Sequence, residues 1–133
     1  MSSPVATCFA VPEFVYRGMR SKKWIGDDGT TVLAEAYLRR PTDTDGLSVG
    51  TTPQAVKGLL LRVKGIAILR VNDIRTITNM DTRIHLDVVL NSDSPTHGNI
   101  NTGIPYLSDN PILAEFFAGE LARISKLLTE NET

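Results

Sequence analysis

The chain has a single cysteine, Cys8, few aromatics (6% of residues) and almost no net charge, with 14 basic against 15 acidic residues in 133. One cysteine excludes an internal disulfide and an all-cysteine metal site. Because Cys8 sits in the apolar run from Ala6 to Val11, a small buried hydrophobe is the expectation for it. A formal charge of -1 removes the broad electrostatic attraction that drives binding to nucleic acid or to an acidic membrane. The aromatics are too sparse to interleave with basic residues on a nucleic-acid-binding face. No stretch approaches the roughly 18 consecutive apolar residues a membrane helix needs. The opening Met-Ser-Ser-Pro-Val-Ala-Thr has neither the basic region nor the apolar stretch of a secretory signal. The expectation is a cytoplasmic protein without a membrane anchor. Internal repeats and low-complexity segments are also lacking.

What is present suits one domain. A hydrophobic fraction of 41% supports an ordinary core and a charged fraction of 22% an ordinary solvated surface. At this length a second independent core is not expected, with residues 1–10 as a loose leading segment and 129–133 as a frayed tail. Phe14 to Arg17 reads as a first strand, Asp27-Asp28-Gly29 as a turn, and Arg40 to Gly46 as a loop. Thr31 to Leu38 fits either strand then loop or a short helix. Leu47-Ser48-Val49 is a short strand. Thr52 and Pro53 open a helix, Thr52 as cap and Pro53 at the first position, where a missing N–H costs nothing; Gly65 would end it. Ile66 to Val71 is apolar on both faces except for Arg70 and predicts a covered strand. Ile84 to Leu90 alternates, with Ile84, Leu86, Val88 and Leu90 on one face and His85 and Asp87 on the other. Asn91 to Ser108 reads as a long loop, with a short strand at most from Asn99 to Asn101. Asn110 and Pro111 then start a helix whose stripe is Ile112, Leu113, Phe116, Phe117, Leu121, Ile124, Leu127 and Leu128. The expected fold is α+β: a mainly antiparallel sheet of four to six strands, a short helix from Thr52, and a long C-terminal helix packed across one face.

Candidates for chemistry are few. Ser48, His97 and one of Asp43, Asp45 or Asp87 supply the residue types of a catalytic triad, but Leu-Ser-Val-Gly reads as strand rather than as a nucleophile elbow. His85 and His97 lie twelve residues apart, without a His-Glu-x-x-His pattern or a well-spaced carboxylate, so no metal site is predicted. No Gly-rich phosphate loop occurs, and no cofactor is implied. Thr96-His97-Gly98-Asn99 could offer backbone N–H groups to an anion. Trp24, flanked by Lys22, Lys23 and Ile25, is expected to anchor a loop against the core. Tyr16-Arg17-Gly18 resembles the setting in which ADP-ribosyltransferases carry an arginine on their first strand. That pattern's Ser-Thr-Ser strand is missing, and the only Glu-x-Glu is Glu130 and Glu132 at the end of the chain.

Three stretches carry a further likeness. They are Tyr16-Arg17 with Trp24 and Asp28-Gly29; Arg40-Pro41 with Asp45-Gly46-Leu47-Ser48-Val49; and Asp87-Val88-Val89 with Pro95-Thr96-His97-Gly98-Asn99-Ile100 and Gly103-Ile104-Pro105. Together these resemble a family of small uncharacterised prokaryotic proteins, over roughly Tyr16 to Ser125. The chain departs from that pattern at Tyr37, where Phe is expected, and at Gly98, where Ala is more usual. The resemblance implies no activity. It does single out Arg17, Trp24, Arg40, Ser48 and His97, polar or amphipathic types that packing alone would not demand, as either a ligand-binding group or a buried polar network.

Two functions of different classes follow as expectations. One is a binding or adaptor module, a protein partner encoded beside the gene it serves. The other is a small enzyme acting on a phosphate-bearing or nucleotide-like ligand through Arg17, Arg40 and His97, since guanidinium forks suit phosphate and a histidine suits proton transfer.

Overall fold

The computed structural model describes residues 11–19, 21–41, 43, 46–59, 65–91, 94–101 and 103–128. Six strands, β1 (Phe14–Met19), β2 (Leu47–Gly50), β3 (Gly65–Arg70), β4 (Asp87–Asn91), β5 (Ser94–Asn101) and β6 (Lys126–Leu127), form one antiparallel sheet in the order β4-β5-β2-β1-β3-β6. Three α-helices, α1 (Pro53–Leu59), α2 (Val71–Arg75) and α3 (Pro111–Ile124), and two 3₁₀ turns, Lys22–Trp24 and Ala34–Tyr37, complete the described elements. The α+β class, the antiparallel sheet and the long C-terminal helix are as the sequence predicts.

Alternation decides which strand face is dry. Val15, Arg17 and Met19 of β1, Leu47 and Val49 of β2, Ala67 and Leu69 of β3, Val88 of β4 and Ile100 of β5 are buried. The apolar ones meet Tyr37 from the Ala34–Tyr37 turn and Phe117, Ala118 and Leu121 from α3 in one hydrophobic cluster. Complete burial of side chains as large as Phe117 and Leu121 supplies roughly 2–3 kcal/mol each in transfer free energy. The opposite face carries Ser48 and Val89, both exposed, and is covered at Gly50 by Val56 of α1.

Several boundaries differ from the sequence reading, each for a physical reason. Thr52 does cap α1, its hydroxyl accepting from the Ala55 N–H at 3.0 Å. Gly65 opens β3 rather than ending a helix, and Val71 turns into α2, which has too few residues to show a period. Of the alternating run only Asp87 to Leu90 is strand, continuing to Asn91; His85 makes an isolated bridge to Thr78. The Thr31–Leu38 segment takes neither alternative whole: Val32 bridges to Ile25, and a 3₁₀ turn follows. The predicted long loop is the largest miss. Residues 94–101 are a strand, β5, between β4 and β2. Their Pro, Thr, His, Gly and Asn carry no hydrophobic alternation, and only pairing on both sides makes them a strand.

The final helix needs two corrections. It ends at Ile124, and Lys126 and Leu127 continue as the edge strand β6. Its buried side is Ala114, Phe117, Ala118 and Leu121, whereas Ile112 is 84% exposed and Phe116 37%. A helix that starts with an apolar pair offers two candidate stripes; the one containing the alanines faces the 3₁₀ turn, where short side chains allow close approach. Cys8 and the 129–133 tail lie outside the described residues.

Tyr37 has a polar partner across the core. Its hydroxyl lies 2.6 Å from Ser125 Oγ, and that serine also donates to the Leu121 carbonyl. Burial pushes the Tyr37 phenol up to about 12. A raised folded-state value stabilises the fold fully below the ordinary tyrosine range and loses that contribution as pH rises through it. Alkaline melts should therefore fall away above about pH 10, and Tyr37→Phe should remove part of that slope. The same change should cost about 1 kcal/mol at neutral pH, because it removes the hydrogen bond between the Tyr37 and Ser125 hydroxyls while Ser125 keeps its bond to the Leu121 carbonyl, as read from urea denaturation.

Candidate functional site

Arg17 is the one buried charged side chain among the described residues, with 4% of its surface exposed. The pairing of Tyr16 with Gly50 sets Arg17 opposite Val49, so its side chain enters the core face. There Nε donates to the Ala36 carbonyl at 2.8 Å, and Nη1 donates to the Ser48 carbonyl, also at 2.8 Å. The guanidinium stands 5.8 Å from the Trp24 ring centroid and 5.7 Å from that of Tyr37. One side chain thus joins β1, β2 and both 3₁₀ turns.

Arg40 approaches the same tryptophan from outside, 4.9 Å from the ring centroid. It donates from Nη1 to the Leu38 carbonyl and from Nη2 to the Glu35 carbonyl, each at 2.9 Å. Its backbone N–H is capped by Asp43 Oδ2 at 2.9 Å. Trp24 is therefore stacked against two guanidinium groups, each tied to main chain, and anchors its loop as expected. Asp28 fixes the next turn. The Thr31 hydroxyl and the N–H groups of Thr30 and Thr31 bond its carboxylate and hold it down at about 2, while Gly29 takes the positive φ of 75° that follows.

Ser48 and His97 are elsewhere. Ser48 is exposed on the face opposite Arg17; it is the Ser48 carbonyl, not the hydroxyl, that meets the guanidinium. His97 pairs with Gly50, and Asn99 with Ser48, so His97 shares the Ser48 face and is its diagonal neighbour across two strands. The five singled-out residues therefore divide: Arg17, Trp24 and Arg40 on the core side, Ser48 and His97 on the other. The sheet lies between them, and no single ligand can touch all five.

Around His97 the geometry is local. Nδ1 lies 3.0 Å from Thr96 Oγ1 and 3.2 Å from Ser94 Oγ, and the two hydroxyls are 3.0 Å apart. Nε2 is buried and has no hydrogen-bond partner. A base-activated nucleophile requires an orienting acceptor on the second ring nitrogen. Neither candidate aspartate provides one, because Asp87 is paired with Arg75 at 2.8 Å and Asp43 caps Arg40; Asp45 lies outside the described residues. Gly46-Leu47-Ser48-Val49-Gly50 does spell Gly-x-Ser-x-Gly. Ser48 nevertheless stands inside β2, paired with Asn99, and not on the sharp strand-to-helix turn that exposes a nucleophile. The segment 96–99 is no free anion-cradling loop either: His97 to Asn99 are paired with β2, and Gly98 and Asn99 also with β4.

Sequence reasoning missed Arg39. Its Nε donates to the Asp43 carbonyl and its Nη1 to the Ile104 carbonyl, at 2.8 and 2.7 Å, and its guanidinium stacks 4.1 Å from the Tyr106 ring centroid. Nothing local in Arg39-Arg40 distinguishes the two. Ser94 and Thr96 were missed because they resembled loop residues.

Among the described residues no group of three or more His, Cys, Asp or Glu side chains is placed to hold a metal ion, and no helix is long and apolar enough to cross a membrane. No family model matches the sequence, and comparison with curated proteins and with solved structures finds no match either.

Proposed function

We propose that this protein is a binding or adaptor module for another protein, encoded beside the gene of its partner. One observation carries the preference over a phosphate-handling enzyme. The guanidinium groups of Arg17 and Arg40 donate to main-chain carbonyls and stack on Trp24. A phosphate recruited there would displace those bonds and leave the buried Ala36 carbonyl bare, at about 1–3 kcal/mol, and the part-buried Ser48 and Leu38 carbonyls without their donors. Ile112 and Phe116 support the same reading, because they stand one turn apart on the outward side of α3 and are both exposed.

Co-expression with the product of each adjacent gene, followed by size-exclusion chromatography, tests the proposal. A stable complex is expected with one of them. Ile112→Asp should weaken that complex at least tenfold while changing stability by no more than about 0.5 kcal/mol, since the side chain is already in water. If no adjacent product co-elutes, the adaptor reading fails.

A second reading keeps the small phosphate-bearing or nucleotide-like ligand but moves it to the face of Ser48 and His97. The unpartnered Nε2 of His97 favours it, since a ligand acceptor or donor could satisfy that nitrogen. A thermal-shift panel of nucleotides and phosphorylated metabolites separates the two readings. On the adaptor reading no compound at millimolar concentration raises the melting temperature. A rise that His97→Ala abolishes and Arg40→Ala leaves intact would establish the second reading.

A further inference from the structure

We propose that the sheet can open along the seam between β1 and β2, and that Arg17 is the latch that keeps it shut.

The backbone decides which groups meet at that seam. Val71 N–H donates to the Glu13 carbonyl, so by antiparallel alternation the polar groups of Val15, Arg17 and Met19 point to β3. Thr51 N–H donates to the Thr96 carbonyl, so those of Leu47 and Val49 point to β5. Tyr16 and Gly18 of β1 are left to face Ser48 and Gly50 of β2. Among the described residues the register across this seam is one pair, Tyr16 with Gly50, against six between β1 and β3 and four between β2 and β5. The ladder does not continue to Gly18 and Ser48. Where it would, the Ser48 carbonyl accepts instead from Arg17 Nη1, reaching beneath the seam from the core face.

Among the described residues no other line through the sheet is crossed by so few backbone pairs, and even the edge strand β6 has two. The half-sheets β4-β5-β2 and β1-β3-β6 are each laddered internally. Among the described residues the hydrogen bonds that cross between β1 and β2 are that one pair and the Arg17 fork, while beneath the seam both halves share the hydrophobic cluster around Tyr37, Phe117 and Leu121. The fork is fixed at its other end by Ala36 and by the Trp24 and Tyr37 rings, so it binds β2 to a rigid support. Parting the strands at the seam breaks that bond and the Tyr16–Gly50 pair and no other backbone pair among the described residues, so each half-sheet keeps its own ladder over the shared core. The inference rests on register and hydrogen bonds, and holds whichever partner or ligand the protein takes.

Native-state hydrogen exchange, resolved by NMR in low denaturant, tests it on the wild-type chain. The amides of Tyr16 and Gly50 should exchange through a local opening, with little denaturant dependence, and about 100-fold faster than those of Leu69 and Val49, which wait for larger unfolding. Arg17→Lys keeps the charge but loses the two-carbonyl fork, and should speed Tyr16 and Gly50 by a further factor of about 10 relative to Leu69 and Val49. If Tyr16 and Gly50 exchange as slowly and with the same denaturant dependence as Leu69 and Val49, the seam is closed and the proposal is overturned. That wild-type comparison decides the matter even if the lysine variant fails to fold. Acceleration of all four amides by one common factor in the variant would make Arg17 a general stabiliser, and would remove the latch.

Discussion

Arg17→Ala should destabilise the protein by about 3–5 kcal/mol, since it strips the donor from one buried and one part-buried carbonyl and leaves a cavity. The carbonyls of Ala36 and Ser48 each lose their 2.8 Å donor, and the rings of Trp24 and Tyr37 lose the guanidinium between them. Chemical denaturation should show the midpoint falling with little change in slope, and thermal melts a drop of roughly 10–20 °C. Arg17→Lys should lie between, because an ammonium cannot serve two carbonyls in fixed fork geometry. Ser48→Ala supplies the control. Its hydroxyl is on the exposed face and its carbonyl is retained, so the cost should stay within about 0.5 kcal/mol. A cost for Ser48→Ala equal to that for Arg17→Ala would mean that the serine side chain belongs to the network after all.

Gly98→Ala is expected to cost about 2–3 kcal/mol through overpacking. Gly98 pairs with Leu90 in β4 and with Val49 in β2, in the middle of the β4-β5-β2 half-sheet. A Cβ there would stand 2.6 Å from the Val89 carbonyl oxygen and 3.0 Å from the Leu90 Cα, both of them backbone. Neither can rotate away, so relief requires β4 to shift, next to the irregularity already present at Leu90 and Asn91. This position is where the family resemblance leads one to expect alanine. The strand spacing in this chain requires glycine, and an Ala variant that melts with the wild type would show that β4 accommodates it. Urea denaturation, with amide spectra of β4 to locate the disturbance, is the direct measurement.

Much of the layout is determined locally. Thr52 and Pro53 start α1, Asn110 starts α3 by accepting from the Leu113 N–H, and Asp28 with Gly29 makes its turn, because caps and turns are satisfied within a few residues. The β1 strand, the short strand at Leu47, and the apolar run that becomes β3 follow from β-branched and aromatic residues whose burial their own pattern announces. Arg17, Trp24 and Arg40 could be singled out because a resemblance marked them, and the structure does bring these three together.

Tertiary structure decided the rest. Residues 94–101 are a strand because β2 and β4 offer their edges to a segment whose composition suggests a loop. The inner stripe of α3 is the one that fits the Ala34–Tyr37 turn, so Ile112 and Phe116 remain outside. Most consequential is the parting of the candidate site. Sequence places Arg17, Ser48 and His97 in one group, but side chains alternate across a sheet, and the register Tyr16 with Gly50 and Gly50 with His97 puts Ser48 and His97 on the side away from Arg17. Register is a relation between strands distant in the chain, set by how the whole apolar face is buried, and a slip of one residue would reverse it. Local sequence can therefore name the residues of a site without fixing the face of the sheet on which each one stands.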